Sequence, residues 1–130
     1  MMAKIERFED IQGWQKGRIL VRGIYGVTEQ TGFARDFGLK DQIRRSAVSV
    51  VSNIAEGFAR RTNREFIQFL YISHGSVAEV EAQLYVALDL GYIAEPKFKE
   101  LYDLCYEISK LIMGFIKYLS SLEGNAAPTQ

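Results

Sequence analysis

The sequence contains little cysteine, histidine or proline. Its one cysteine, Cys105, cannot form an intramolecular disulfide, and with the one histidine, His74, it cannot supply a metal site built from several thiolates or imidazoles. The two prolines, Pro96 and Pro128, leave the first 95 residues without a residue that breaks helices. No apolar run approaches the roughly 18 residues of a membrane helix, and the chain begins without a signal-peptide pattern. We therefore expect a cytoplasmic protein without membrane association.

Net charge is also absent, because 16 Lys+Arg balance 16 Asp+Glu over 130 residues. The balance conceals an asymmetry: residues 1–64 hold 12 basic and 7 acidic residues, whereas residues 65–130 hold 4 and 9. A neutral chain is not a general polyanion binder, but its N-terminal half is basic enough to contact phosphates. The hydrophobic share of 48% is that of an ordinary domain with one core.

Apolar spacing predicts four helices, and no alternating β-type pattern competes with it. The first helix spans about residues 8–30 and contains four glycines that weaken it. A loop is predicted at 31–36. The second helix then spans about residues 37–58, with apolar residues three or four positions apart along one face.

The last two helices have clear end signals. The third begins at a capping box from Thr62 to Glu65 and ends at Gly91, where an aromatic residue follows in a Schellman pattern. The fourth begins near Pro96 and continues to about Leu122. These signals leave only a tight turn between the two helices.

The third and fourth helices both carry heptads of apolar residues, the pattern of helices that pack lengthwise. Joined by a tight turn, they predict an antiparallel hairpin. With the first two helices, the sequence predicts an all-α fold, an antiparallel up-down-up-down four-helix bundle. We expect residues 1–122 to form this single domain and residues 123–130 to be a flexible tail.

The third helix lacks a solvated face. Opposite its heptad lies a second stripe, here called the outer stripe, of small and aromatic residues: Tyr71, Gly75, Ala78, Ala82 and Tyr85. A helix that is apolar or small on both sides is usually buried on both. We therefore predict an oligomer interface on this stripe. Exposure on a monomer is the alternative, since Tyr and Ala tolerate solvent.

Polar residues interrupt the facing surfaces of the second and third helices. The set comprises Ser49, Asn53, Glu56, Ser73, Ser76 and Glu79. We predict a buried hydrogen-bonded layer that fixes the register of the two helices. A polar ligand pocket is the alternative.

The sequence has no recognisable catalytic constellation. It lacks a Gly-rich phosphate loop, a nucleophile elbow and the paired Glu-x-x-His motifs of di-metal bundles. Cys105 falls within a heptad, which is typical of an inert core thiol. The sequence shows no nucleophile or acid–base partner for His74. We therefore expect no enzymatic activity, no cofactor and no metal.

Basic residues cluster at both ends of the second helix. The predicted nucleic-acid-binding residues are Lys40, Arg44, Arg45, Arg60, Arg61 and Arg64. Arginine at this density contacts phosphates in many proteins. Two members have acidic partners four residues earlier, because Asp41 precedes Arg45 and Glu56 precedes Arg60. A solvated face, or contact with the acidic half of another subunit, is the alternative.

Several motifs together resemble one protein family. They are Phe8-Glu9-Asp10-Ile11, Gln42-Ile43-Arg44-Arg45-Ser46-Ala47, Ser52-Asn53-Ile54-Ala55-Glu56-Gly57, and Gly75-Ser76 with Glu79 and Glu81. Over roughly residues 8–120 the chain resembles the four-helix-bundle proteins encoded in intervening sequences of bacterial 23S ribosomal RNA genes. One departure is Ala34, where relatives commonly have proline.

The resemblance implies a small bacterial protein without known catalytic activity that forms a ring-shaped homo-oligomer, typically a pentamer. The family is similar in fold to accessory proteins of diversity-generating retroelements, which bind a reverse transcriptase and nucleic acid through a basic surface. We therefore predict a non-enzymatic, oligomeric bundle that binds RNA or DNA through its basic residues. The alternative is a scaffold for a protein partner, with no nucleic-acid binding.

Overall fold

Four long helices and one short helix account for most of the computed structural model, which describes residues 4–126 and contains no strand within that range. A 3₁₀ turn at Phe8–Asp10 precedes the first helix. The helices are α1 (Gln12–Thr28), α2 (Thr31–Arg35), α3 (Phe37–Phe58), α4 (Asn63–Asp89) and α5 (Glu95–Ala126).

The long helices form a ring of antiparallel neighbours. Helix α3 packs between α1 and α4, and α5 packs between α4 and α1. His74 of α4 meets Ser109 of α5, while Gly13 of α1 lies beside both Ile54 of α3 and Ile112 of α5. Helix direction therefore alternates around the ring. The predicted all-α four-helix bundle is confirmed.

The heptads of α4 and α5 form the centre of the core. Every heptad position of α4 from Phe66 to Ala87 is buried, as are the α5 positions from Leu101 to Leu119. Leu122, at the last heptad position, is exposed. Cys105 has no exposed surface and is an interior thiol, as its heptad position predicted.

Both ends of α4 lie where the sequence predicts, and the hydroxyl half of the capping box is present. The Glu65 carboxylate accepts from the Thr62 hydroxyl at 3.4 Å, and not from the Thr62 backbone N–H as the capping box predicted. The hydroxyl of Thr62 accepts a 3.1 Å hydrogen bond from the backbone N–H of Glu65, which satisfies one of the free donors of the first turn. At the other end Gly91 has a φ of +75°, a left-handed conformation that costs glycine least. The N–H of Tyr92 then donates to the carbonyl of Ala87 at 2.9 Å, which is the hydrogen bond that spans five residues in a Schellman motif.

The connection from α1 to α3 differs from the predicted loop. Residues 31–35 form α2, a single helical turn that buries Phe33. The ring of Phe33 stacks on Tyr92 with centroids 5.3 Å apart, and the Tyr92 hydroxyl donates to Asp36 at 3.0 Å. Asp36 also accepts from the N–H of Leu39 and caps α3. Contacts with the turn after α4 thus order a segment that its own sequence marks only as a break.

Two predicted boundaries also move. The first helix begins at Gln12 instead of residue 8, because Ile11 is extended and separates it from the 3₁₀ turn. Helix α5 continues to Ala126, so residues 123–126 of the predicted tail are helical. Residues 127–130, the rest of that tail, lie outside the described part of the chain.

Candidate functional site

The contact between α3 and α4 carries a chain of polar side chains. Ser73 donates from Oγ to the carbonyl of Val50 at 2.7 Å. Ser76 donates to the Oγ of Ser49 at 2.8 Å, and the side-chain amide of Asn53 donates to that Oγ and to the Ser49 carbonyl, both at 2.9 Å. These bonds join two helices at a fixed register. Because the side chains bond one another, the four residues form a hydrogen-bonded layer between the helices.

Glu56 and Glu79 do not belong to this layer, and their placement in it was wrong. Both residues are exposed, and Glu56 pairs with Arg60 at 2.9 Å instead. Each follows a layer residue by three positions and therefore lies about 60° round the helix from it, at the edge of the helix contact. A carboxylate there keeps its hydration, whereas one inside the layer loses it.

The basic residues at the start of α3 are largely committed to partners within the chain. Arg44 lies over the ring of Tyr25 at 4.2 Å and donates at 2.8 Å to both the Thr28 hydroxyl and the Glu29 carboxylate. Its side chain is only 19% exposed. The hydrogen bond from Arg44 holds the pKa of Glu29 below its usual value. Arg44 therefore joins α3 to the end of α1.

The other two basic residues near the start of α3 have different surroundings. Arg45 donates to Asp41 at 2.8 Å in an exposed pair, and that hydrogen bond raises the pKa of the guanidinium. The ammonium of Lys40 lies 6.0 Å from the centre of the Phe37 ring. In the set of Lys40, Arg44 and Arg45, here called the start cluster, both guanidinium groups are thus paired with carboxylates, and Lys40 carries the remaining charge.

A different situation holds where α3 meets α4, at Arg60, Arg61 and Arg64, here called the junction cluster. Arg60 pairs with Glu56 and lies over the ring of Phe69 at 4.7 Å. Arg61 and Arg64 are exposed, and no carboxylate of the described residues lies within ion-pair distance of either. Arg61 and Arg64 therefore present two unneutralised guanidinium groups at this end of α3.

The two clusters do not form one surface. Arg44 lies within α3, and Arg60 lies two residues beyond the end of that helix at Phe58. At a rise of 1.5 Å per residue, the 14 helical steps from Arg44 to Phe58 already span about 21 Å along the axis. The six predicted nucleic-acid-binding residues are therefore divided between opposite ends of the bundle.

A depression of about 350 Å³ opens beside the junction cluster. Arg60 and Arg61 line it together with Lys4 from the start of the described chain. The rings of Phe58 and Tyr118 line it as well. This basic–aromatic pocket was not predicted, because Lys4, α3 and the end of α5 come together only in the folded bundle.

The outer stripe is exposed along its whole length on α4. Tyr71 is 52% exposed and Tyr85 is 49% exposed, and the three small residues between them also face solvent. The ring of Tyr85 packs on Phe98 and Tyr102 of α5, with centroids 4.9 Å and 5.5 Å apart. The stripe therefore continues onto the neighbouring helix.

Two residues of α5 extend this apolar surface and were missed. Tyr106 is 59% exposed and Met113 is 38% exposed. The 2.7 Å hydrogen bond between His74 and Ser109 fixes the register that brings them beside the outer stripe. A signal was present: Tyr102, Tyr106, Ser109 and Met113 recur at spacings of four, three and four, outside the α5 heptad.

Cys105 and Glu81 are titratable groups between α4 and α5 whose pKa values are shifted mainly by burial. Burial raises the pKa of the Cys105 thiol to about 12 and also raises the pKa of Glu81, an effect that His74 opposes. Among residues 4–126, no group of three or more His, Cys, Asp or Glu side chains is placed to hold a metal ion. The helices in this range also lack an apolar stretch long enough to cross a bilayer.

Comparison with known proteins gives a family and a related structure. A search of curated proteins finds no significant match. A crystal structure from Bacteroides thetaiotaomicron, of a protein with unknown function from the S23 ribosomal protein family, superposes with a TM-score of 0.74 at 25% identity, covering 81% of this chain and 95% of that one. Residues 9–114 match the family model for the 23S rRNA-intervening sequence protein. The chain therefore belongs to the 23S rRNA-intervening sequence protein family.

Proposed function

We propose that this protein is a non-enzymatic, self-associating bundle that binds RNA or DNA at the junction between α3 and α4. The observation that carries the proposal is the exposure of Arg61 and Arg64, which have no acidic partner within the described chain. Exposed guanidinium groups bind phosphates through paired hydrogen bonds and release counterions from the nucleic acid. Arg60, the third member of the junction cluster, lies beside them.

The proposal is narrower than the set of basic residues in the sequence. The guanidinium of Arg44 is already bonded to Thr28 and Glu29, and that of Arg45 to Asp41. A phosphate at the start cluster has to displace these partners, whereas a phosphate at Arg61 or Arg64 displaces only water and ions. The junction cluster is therefore the stronger candidate.

Self-association is the second part of the proposal, with a second copy of the chain on the outer stripe. Charge complementarity supports this occupant. Helix α4 carries four acidic residues against one basic residue, whereas α1 carries three basic residues and no acidic one. On α1, Ile19 is 52% exposed and lies between the exposed Arg18 and Arg22. If α1 of one copy packs against α4 of the next, two different surfaces of the chain meet. Interfaces of this heterologous kind close into rings when the rotation between subunits allows it. A pentamer, as the family resemblance implies, is one such ring.

The nucleic-acid part is tested by fluorescence anisotropy with labelled RNA and DNA over a salt series. Arg61→Ala combined with Arg64→Ala is compared with Lys40→Ala combined with Arg45→Ala, a matched pair of changes at the start cluster. We expect the junction variant to bind more weakly, with a slope of log K against log salt that is shallower by roughly one for each phosphate that the variant no longer binds. The start-cluster variant should bind nearly as the wild type does.

Negligible binding of structured RNA and of duplex DNA at low salt would overturn the proposal. An equal decrease in affinity for both variants would also contradict the junction site. A purified protein that is free of nucleic acid and holds an acidic protein partner would favour the scaffold function instead.

A further inference from the structure

The basic–aromatic pocket has one charged side and one aromatic side. Its charged side consists of Lys4, Arg60 and Arg61. The position of Arg60 is restrained, because its guanidinium pairs with Glu56 and lies over the ring of Phe69. Arg61 is exposed and has no carboxylate of the described residues within ion-pair distance, so it can take up an anion without losing a partner. This side of the pocket therefore favours an anionic group.

The first turn of α4 adds to the same charge. Thr62 and Asn63 line the pocket at the beginning of a helix of 27 residues. The N-terminus of a helix carries partial positive charge, which attracts phosphate in many proteins. It adds to the charge of Arg61, because Lys4 has a carboxylate partner in Glu6 at 3.8 Å and Arg60 has one in Glu56.

The aromatic side is built from rings that hold one another. Phe58 meets Phe66 with centroids 6.0 Å apart, and Phe66 meets Phe115 at 5.4 Å. Phe115 stacks in turn on Tyr118 at 6.3 Å and 18° between planes. Phe66 and Phe115 are buried, whereas Tyr118 is 42% exposed and Phe58 is partly exposed. Two rings thus face the pocket on a rigid base.

The combination selects a ligand with a flat ring and a phosphate. A simple anion leaves the aromatic side uncovered, and an apolar peptide leaves the arginines without partners. A volume of about 350 Å³ lies at the lower end of the range for small-molecule sites. One nucleotide satisfies both sides, with its base on Tyr118 or Phe58 and its phosphate on Arg61.

We infer that this pocket binds a single unstacked nucleotide, so that the protein prefers single strands and strand ends to continuous duplex. The inference rests on the proposed nucleic-acid binding and deepens it. In a duplex the bases are paired and stacked, and presenting one to the pocket costs unstacking energy. The arginines of the junction cluster contact either form, whereas the rings discriminate between them.

The test uses the full chain and one labelled oligonucleotide, either single-stranded or annealed to its complement, at fixed salt. We expect tighter binding of the single strand. Tyr118→Ala should weaken single-strand binding by about fivefold or more and leave duplex binding unchanged. Phe37→Ala is the control, because Phe37 is 76% exposed at the opposite end of α3. It should change neither affinity.

The outcomes separate this inference from the proposal on which it rests. Equal affinity for both forms, unaffected by Tyr118→Ala but reduced when Arg61 and Arg64 are changed, would overturn the pocket and leave nucleic-acid binding intact. Absence of binding to either form would overturn both. Adenosine monophosphate provides a further arm. Displacement of the strand by the free nucleotide supports the pocket. If the free nucleotide binds as tightly as the strand, the ligand of the pocket is a free nucleotide.

Discussion

Arg44 of α3 donates a 2.8 Å hydrogen bond from Nε to the Oγ1 of Thr28, a residue without exposed surface at the end of α1. The Thr28 hydroxyl is itself held by the carbonyl of Ile24 at 2.8 Å. This link makes Arg44 part of the packing between two helices, although its neighbours in sequence suggested a phosphate contact.

Replacement of Arg44 by alanine is therefore expected to destabilise the bundle. Removal of a charge-assisted, partly buried hydrogen bond and of the packing against Tyr25 should lower the free energy of unfolding by about 2 kcal/mol. Urea denaturation measures the change. Arg45→Ala is the matched control, since its exposed pair with Asp41 should contribute less than about 0.5 kcal/mol. Equal effects of the two changes would refute the structural role of Arg44.

The contrast between these arginines shows which contacts a sequence reveals. The pairs of Arg45 with Asp41 and of Arg60 with Glu56 were predicted from a spacing of four residues, and both are confirmed. The partner of Arg44 lies 16 residues away across a turn, at a distance that no helical period encodes. Periodicity and end signals likewise predicted the buried heptads and the Schellman turn. They could not bring Lys4 to the junction cluster, because that proximity depends on tertiary packing.

Gly57 is expected to tolerate no side chain. A Cβ there would lie 2.7 Å from the Cβ of Phe69 and 2.8 Å from Cδ1 of Phe66, where α3 and α4 approach closely. Gly57→Ala should lower the free energy of unfolding by about 1 kcal/mol or more, because overpacking outweighs the gain in helix propensity. Gly114→Ala meets no atom within 4 Å and should raise stability by up to about 1 kcal/mol. Thermal denaturation of both variants decides the point: a stabilised Gly57→Ala protein would contradict the packing.

Cys105 should remain unreactive as long as the protein is folded. Burial raises its pKa to about 12, so that roughly one thiol in ten thousand is ionised at pH 8, and the thiolate is the reactive form. The residue also has no exposed surface. We expect iodoacetamide to label it only in denaturant, as mass spectrometry can show. Because it is the only cysteine in the sequence, the labelled fraction reports this site alone. Rapid labelling of the native protein would show that the α4–α5 contact opens.

Glu81 is expected to make the stability of the bundle fall as pH rises above its ordinary pKa. Burial raises the pKa of Glu81 in the folded state from 4.5. Glu81 therefore ionises at lower pH in the unfolded chain than in the folded one, so its contribution to stability is largest below pH 4.5 and falls as the pH rises. Glu81→Gln removes this cost, so the variant should be more stable than the wild type at pH 7, and the difference should shrink below pH 4.5. Thermal melts over a pH series measure it. The exposed Glu79→Gln on the same helix is the control, and an identical pH profile for both variants would contradict the assignment.

The outer stripe provides the sharpest test of assembly, because two open glycines can be changed in the same way. Gly75 lies in the stripe on α4, and Gly114 is exposed on α5; a Cβ at either meets no atom within 4 Å. Arginine at either position therefore fits an isolated subunit equally well. Against a second copy, Gly75→Arg places a bulky charge where the helices must approach most closely, and its desolvation opposes association.

We expect sedimentation velocity and light scattering to show the wild type and Gly114→Arg as the same oligomer, with five times the 14.8 kDa of one chain if the ring is a pentamer. Gly75→Arg should shift toward the mass of a single chain while its helical circular dichroism is unchanged. A wild type that is monomeric at micromolar concentration would refute the interface, as would an oligomer that Gly75→Arg leaves intact. Dissociation of both variants alike would place the contact elsewhere, because the two substitutions differ only in the surface on which the new charge stands.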